Sequence, residues 1–191
     1  MHVMKIRFDL VFLCVIVFSM AACSVTKPIL ASKEQMLVGQ IRPGMPAIDP
    51  NTAIYELPVN SGVSYQDVVE SLKSISEGLN FVNPANFPIG EHMKLRGLDP
   101  QGVKEVHSFC NLSMGTEIIL DHPEFLVFAP CRIAIYEKQD EHKQLKLYIA
   151  MDRPTFDLQS IKSPTVRAKK SAQELETKLL EIMDRARKGD F

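Results

Sequence analysis

The sequence predicts an α+β fold: a two-layer sandwich, with a mostly antiparallel sheet and helices packed on one face. Three observations carry this. Leu145, Leu147, Ile149 and Met151 alternate with Lys146 and Tyr148, the period-two pattern of a half-buried strand. Val68, Leu72, Ile75 and Leu79 recur at helical spacing and make one apolar face. Ala172, Leu175, Leu179, Ile182 and Ala186 draw a second such stripe near the C-terminus.

The elements follow in order. Residues 53–57 read as a strand, closed by Pro58, Asn60 and Gly62. Ser64 precedes the first helix and Asp67 stands three residues on, which approximates a capping box. Gly78 and Asn80 mark its end, and residues 81–83 read as a short strand. Pro84, Pro88, Gly90, Gly97, Pro100 and Gly102 make residues 84–102 read as a long loop, a class of segment that often carries function. Residues 103–110 read as a strand, and 112–121 as a short helix stopped by Pro123. A strand region over 126–137 is interrupted by Pro130, after which Ile133 and Ile135 alternate with Arg132 and Ala134. The polar turn 138–142 joins it to the strand 145–151 as a hairpin, ended by Asp152-Arg153-Pro154. For the last helix, Ser171 and Glu174 read as a capping box. Arg185, Arg187 and Lys188 suit the dipole of its last turn, and Gly189 follows.

The first 22 residues read differently. Lys5 and Arg7 precede an apolar run over residues 10–18, and Ser19-Met20-Ala21-Ala22-Cys23 follows. A basic start, a short apolar core and small residues before a break mark a secretory signal. The run is too short to span a bilayer, which takes roughly 20 residues. Its end resembles the lipobox of bacterial lipoproteins, although Met20 stands where leucine is usual. The resemblance implies that Cys23 becomes the first residue and carries acyl chains such as palmitate. It implies a lipid-anchored protein of the bacterial cell envelope, facing the periplasm. Ser24, rather than aspartate, is compatible with the outer membrane over the inner. Residues 23–51, rich in proline and glycine, read as a tether with an apolar patch at Met36-Leu37-Val38, and residues 52–191 as one folded domain.

Removal of the first 22 of the 191 residues leaves 169, enough for one domain with a real core. It leaves 20 basic and 22 acidic residues, so neither sign dominates and no nucleic-acid footprint is visible. Membrane attachment would come from the lipid. Cys14 departs with the signal and Cys23 is blocked, which isolates Cys110 and Cys131. Three readings stand for that pair. The first is a structural disulfide, as the oxidising periplasm favours, closing a loop of about 22 residues and contributing roughly 3 kcal/mol. The second is two unpaired buried thiols, and the third a redox-active or metal-binding pair.

Other candidates carry their own alternatives. His107, Cys110 and Met114 are soft ligands that suit copper. On a strand, however, 107 and 110 point to opposite faces, and an exposed histidine with a core methionine is the plainer reading. Arg132 is a candidate anion clamp, or else pairs with a neighbouring carboxylate. His122 reads as capping its helix's last carbonyls and His92 as solvated. Asp140/Glu141 and Glu174/Glu176 read as solvated faces. No nucleophile elbow, Walker loop, dinucleotide fingerprint, Cys-x-x-Cys or His-Glu-x-x-His occurs in the sequence, and neither a cofactor nor a metal is expected.

From Ile54 to near Met151 the layout resembles the family called domain of unknown function 302. The resemblance rests on Phe109-Cys110-Asn111, Asp121-His122-Pro123, Phe128-Ala129-Pro130-Cys131-Arg132 before Ile133-Ala134-Ile135-Tyr136-Glu137, and Met151-Asp152-Arg153-Pro154. The commoner family pattern has glycine at the position of Cys110, proline at Leu112 and leucine at Cys131, so this chain resembles a cysteine-bearing variant. The family implies a small α/β fold and a possible homodimer, but no reaction or ligand. The function expected is therefore a lipid-anchored, non-catalytic binding or accessory domain using the 84–102 loop and the surroundings of Cys110, Cys131 and Arg132. The alternatives are a thiol–disulfide or metal-handling protein, and an interaction protein that dimerises through its sheet.

Overall fold

The computed structural model describes residues 38–191, so the signal, Cys14 and Cys23 lie outside the described residues. Five strands form one antiparallel sheet in the order β1-β5-β4-β3-β2. They are β1 Ile54–Pro58, β2 Asn86–Phe87, β3 Lys104–Phe109, β4 Cys131–Gln139 and β5 Leu145–Asp152. The helices are α1 Tyr65–Gly78, α2 Ile89–Leu95, α3 Leu112–Ile119, α4 Pro154–Asp157 and α5 Val166–Ala186. A 3-10 turn, Pro123–Phe128, joins α3 to β4. The α+β sandwich expected from the sequence is the fold observed.

Strand alternation sends Tyr55, Leu57, Phe109, Ile133, Ile135, Ile149 and Met151 to one face, where all are buried. Val68, Leu72 and Ile75 of α1 and Leu175, Leu179 and Ile182 of α5 close over them. Each such side chain contributes about 1.5–3 kcal/mol by leaving water. The capping box of α1 forms: Ser64 Oγ accepts from Asp67 N at 3.1 Å, and Asp67 Oδ2 accepts from Ser64 N at 2.8 Å.

Several expectations need correction. α5 starts at Val166, capped by Thr165, whose Oγ1 accepts from Ala168 N at 3.1 Å. Ser171 lies inside the helix, buried, and donates to Met114 O at 2.8 Å. The helix extends back because the apolar phase continues through Ala168, and Pro164 stops it. The stretch 84–102 is not a bare loop either. Asn86 and Phe87 pair with His107 and Val106 at the sheet edge, and α2 follows. Gly90 of α2 lies against Lys104 at the start of β3. His122 accepts from Thr165 N at 3.1 Å through Nε2, so it supports the start of α5 and not its own helix's carbonyls.

Residues 38–51, read above as part of the tether, lie along α5. Gly39 N donates to Glu176 Oε1 and Gln40 N to Thr177 Oγ1, both at 2.9 Å. Arg42 pairs with Asp184 at 3.2 Å. Glu176, expected on a solvated face, is fully buried and paired with the equally buried Arg153 at 3.3 Å. Arg153 also donates to Asp49 O at 2.8 Å and Thr52 O at 2.7 Å, which closes the strap. Gly39 is required there, because a Cβ would meet Glu176 Cγ at 2.8 Å.

Candidate functional site

The thiols come first. Cys110 and Cys131 are both free and half-buried, so the expected disulfide is absent. Register supplies the reason. Cys131 pairs with Phe109, and both sit on the core side of the sheet; alternation turns the next residue, Cys110, the other way. Burial pushes both thiols above their ordinary value, Cys131 strongly, with Asp152 adding to its shift. Thiols held protonated in this way are poor nucleophiles and poor metal ligands. Among the described residues no group of three His, Cys, Asp or Glu side chains could hold a metal ion. Intact mass is expected to be the same with and without reductant; a gain of two hydrogens on reduction would contradict this geometry.

Arg132 takes the carboxylate pairing. Its Nη2 lies 2.6 Å from Asp152 Oδ2, and its backbone N donates to Asp152 Oδ1 at 2.9 Å. Nearby, burial raises the Asp157 carboxyl to about 7, with Asp152 adding like charge and Arg132 opposing. His107, expected at the surface, is buried on the core face and stacks on Phe109, while Met114 packs against the core, so the copper set does not assemble.

His107 belongs instead to an arrangement the sequence reading missed. Glu105, two residues earlier on the same inward face, accepts a hydrogen bond from the Tyr65 hydroxyl. His107 Nε2 lies 3.4 Å from Glu105 Oε1 and, among the described residues, makes no hydrogen bond. Burial lowers the His107 pKa against the pull of Glu105, so the imidazole is neutral at pH 7. The Tyr65 hydroxyl is pushed up to about 12 by burial and then by Glu105, so it acts as a hydrogen-bond donor and not as a nucleophile.

Tyr65 and Glu105 line a cleft of about 530 Å³ between the start of α1, α2 and the first residues of β3. Glu91, Lys94, Asp99, Lys104 and Glu137 complete its charged lining. The cations are already occupied: Lys94 Nζ lies 2.8 Å from Glu91, and Lys104 Nζ donates to the carbonyls of Gln101, Val103 and Glu137. Acceptors therefore dominate the cleft. Gly102, at φ +94°, brings the loop against Glu137, whose Oε2 accepts from Val103 N at 2.9 Å. An inward-facing glutamate within the strand pattern Glu105-x-His107-x-Phe109 was the available signal, since an apolar residue is expected at such a position. Its partner Tyr65 comes from another element, which no local pattern reveals.

Among the described residues no helix is long and apolar enough to cross a membrane.

Comparison with known proteins agrees with the fold and adds no reaction. A crystal structure of an uncharacterized conserved protein from Bacillus stearothermophilus matches with a TM-score of 0.60 at 21% identity, covering 70% of this chain and 98% of that one. An uncharacterized protein of Aquifex aeolicus (strain VF5) is 35% identical over 79 residues, 41% of this chain and 49% of the relative. The chain thus spans about half the length of the curated relative it matches. The family model described as "Domain of unknown function DUF302" matches residues 55–186, from the first strand to the end of α5, and the chain belongs to that family.

Proposed function

We propose that the protein is a lipid-anchored binding domain of the bacterial cell envelope, facing the periplasm, and that its ligand site is the cleft between α1, α2 and β3. The observation that carries the site is the Tyr65–Glu105 pair at its wall. A hydrogen-bonded carboxylate among occupied lysines suits a small ligand that brings its own donors, such as a primary ammonium group. The Tyr65 hydroxyl stays protonated and both thiols are suppressed, which favours binding over thiol chemistry.

The site is tested by thermal melts of the purified protein with ethanolamine, spermidine, acetate and phosphate. The amines are expected to raise the melting temperature, and Glu105→Gln to abolish the effect. No response to either amine, or an unchanged response in Glu105→Gln, rejects the cleft as an ammonium site. The anchor is tested separately: Cys23→Ser is expected to move the protein from the membrane to the soluble fraction. Retention of that variant on membranes rejects the lipoprotein reading.

A further inference from the structure

Glu105 stands between two groups that come to it from different directions. From α1 the Tyr65 hydroxyl donates to Oε2. From its own strand His107 Nε2 lies 3.4 Å from Oε1. Strand alternation sets this up, because residues 105 and 107 share the inward face of β3. Tyr65 and Glu105 line the cleft, whereas His107 stands behind the carboxylate, with its side chain 4% exposed and its ring stacked on Phe109.

The imidazole has little company that can carry charge. Its register partners, Asn86 of β2 and Ile133 of β4, do not titrate. Among the described residues the charge that acts on it is Glu105, and Tyr65 of α1 reaches it through that carboxylate. Neutral, Nε2 makes no hydrogen bond among the described residues. A proton added to the ring would aim an N–H at Oε1 and place a positive charge beside the carboxylate. Away from water such opposite charges act on each other far more strongly than in solution. The two groups together would then offer the cleft little net charge.

We propose that His107 is a proton-operated switch behind the cleft: neutral, it leaves the charge of Glu105 to a ligand's ammonium group, and protonated, it cancels that charge and releases the ligand. The inference rests on the ammonium-site reading of the cleft. Linkage sets its sign: protonation weakens binding of the cation, and the bound cation in turn makes the imidazole harder to protonate. Burial lowers the His107 pKa from the ordinary 6.5, with Glu105 opposing. The switch is therefore open at pH 7 and closes on acidification.

Calorimetric titration of spermidine into the purified protein at pH 8 and at pH 5 tests this. Aliphatic ammonium groups stay charged over that range, and pH 5 lies above the ordinary carboxylate values. The dissociation constant is expected to rise by roughly threefold or more at pH 5. His107→Gln removes the group that changes charge in this window, so its dissociation constant should be the same at both pH values. An unchanged constant in the wild type, or an equal rise in His107→Gln, overturns the switch alone. No binding at pH 8 rejects the ammonium site itself, and the switch with it. Should His107→Gln fold poorly, NMR of the wild-type ring serves instead. Spermidine is expected to move the midpoint of the His107 titration to lower pH. An unmoved midpoint, or no titration of His107 above pH 5, overturns the proposal.

Discussion

Glu176→Ala is expected to destabilise the domain by about 3–5 kcal/mol, the usual cost of leaving one member of a buried ion pair without its partner. Glu176 and Arg153 are both fully buried, and the carboxylate also accepts from Gly39 N, Thr155 N and the Thr155 hydroxyl. At about 2–4 °C per kcal/mol for a domain of this size, the melting temperature should fall by roughly 6–20 °C. The strap should also loosen, because Gly39 loses its acceptor and Arg153 is left as an uncompensated charge. Thermal melts combined with limited proteolysis near residues 38–51 check both effects. Arg153→Met combined with Glu176→Leu should recover part of the loss, since an apolar pair of similar volume carries no desolvation cost. Near wild-type melting of Glu176→Ala would show that water reaches this pair.

Asp157→Asn is expected to stabilise the protein at pH 8 and to have little effect at pH 4. Burial, with Asp152 next in the same direction, holds the Asp157 carboxyl at about 7 in the folded chain, against an ordinary 3.8. The folded state therefore binds this proton more tightly than the unfolded state does. Stability from the group is complete below pH 3.8, declines as pH rises, and is lost once pH exceeds about 7. Asp157 is partly exposed, so solvent screening reduces the effect to about 1–2 kcal/mol. Asparagine imitates the protonated form and removes the penalty. Melts of both proteins across this pH range check the sign; an equal shift at the two extremes would exclude titration of Asp157 as the cause.

Local patterns were legible wherever one element explains itself. The alternation of β5, the stripe of α1 and its Ser64/Asp67 box needed no distant partner, and each formed as read. Readings failed where a distant residue decided. Ser171 looks like a cap because the motif Ser-x-x-Glu is short, yet the helix phase already runs through it. Glu176 looks solvated among the charges of α5, yet Arg153, 23 residues away, draws it inside. Cys110 and Cys131 looked paired because only they remained, whereas strand parity turns them apart. Residues 84–102 looked unstructured because their prolines and glycines punctuate two short elements that depend on the edge of β3.

By itself the sequence determined the fold class, the hairpin, the two long helices and the family, because apolar periodicity encodes which face of each element must leave water. Only the tertiary structure decided the unpaired state of the thiols, the strap on α5 and the Tyr65–Glu105 pair at the cleft. These depend on which groups meet across the sheet and helices. Desolvation then decides whether a polar side chain found there is partnered, neutralised or left waiting for a ligand.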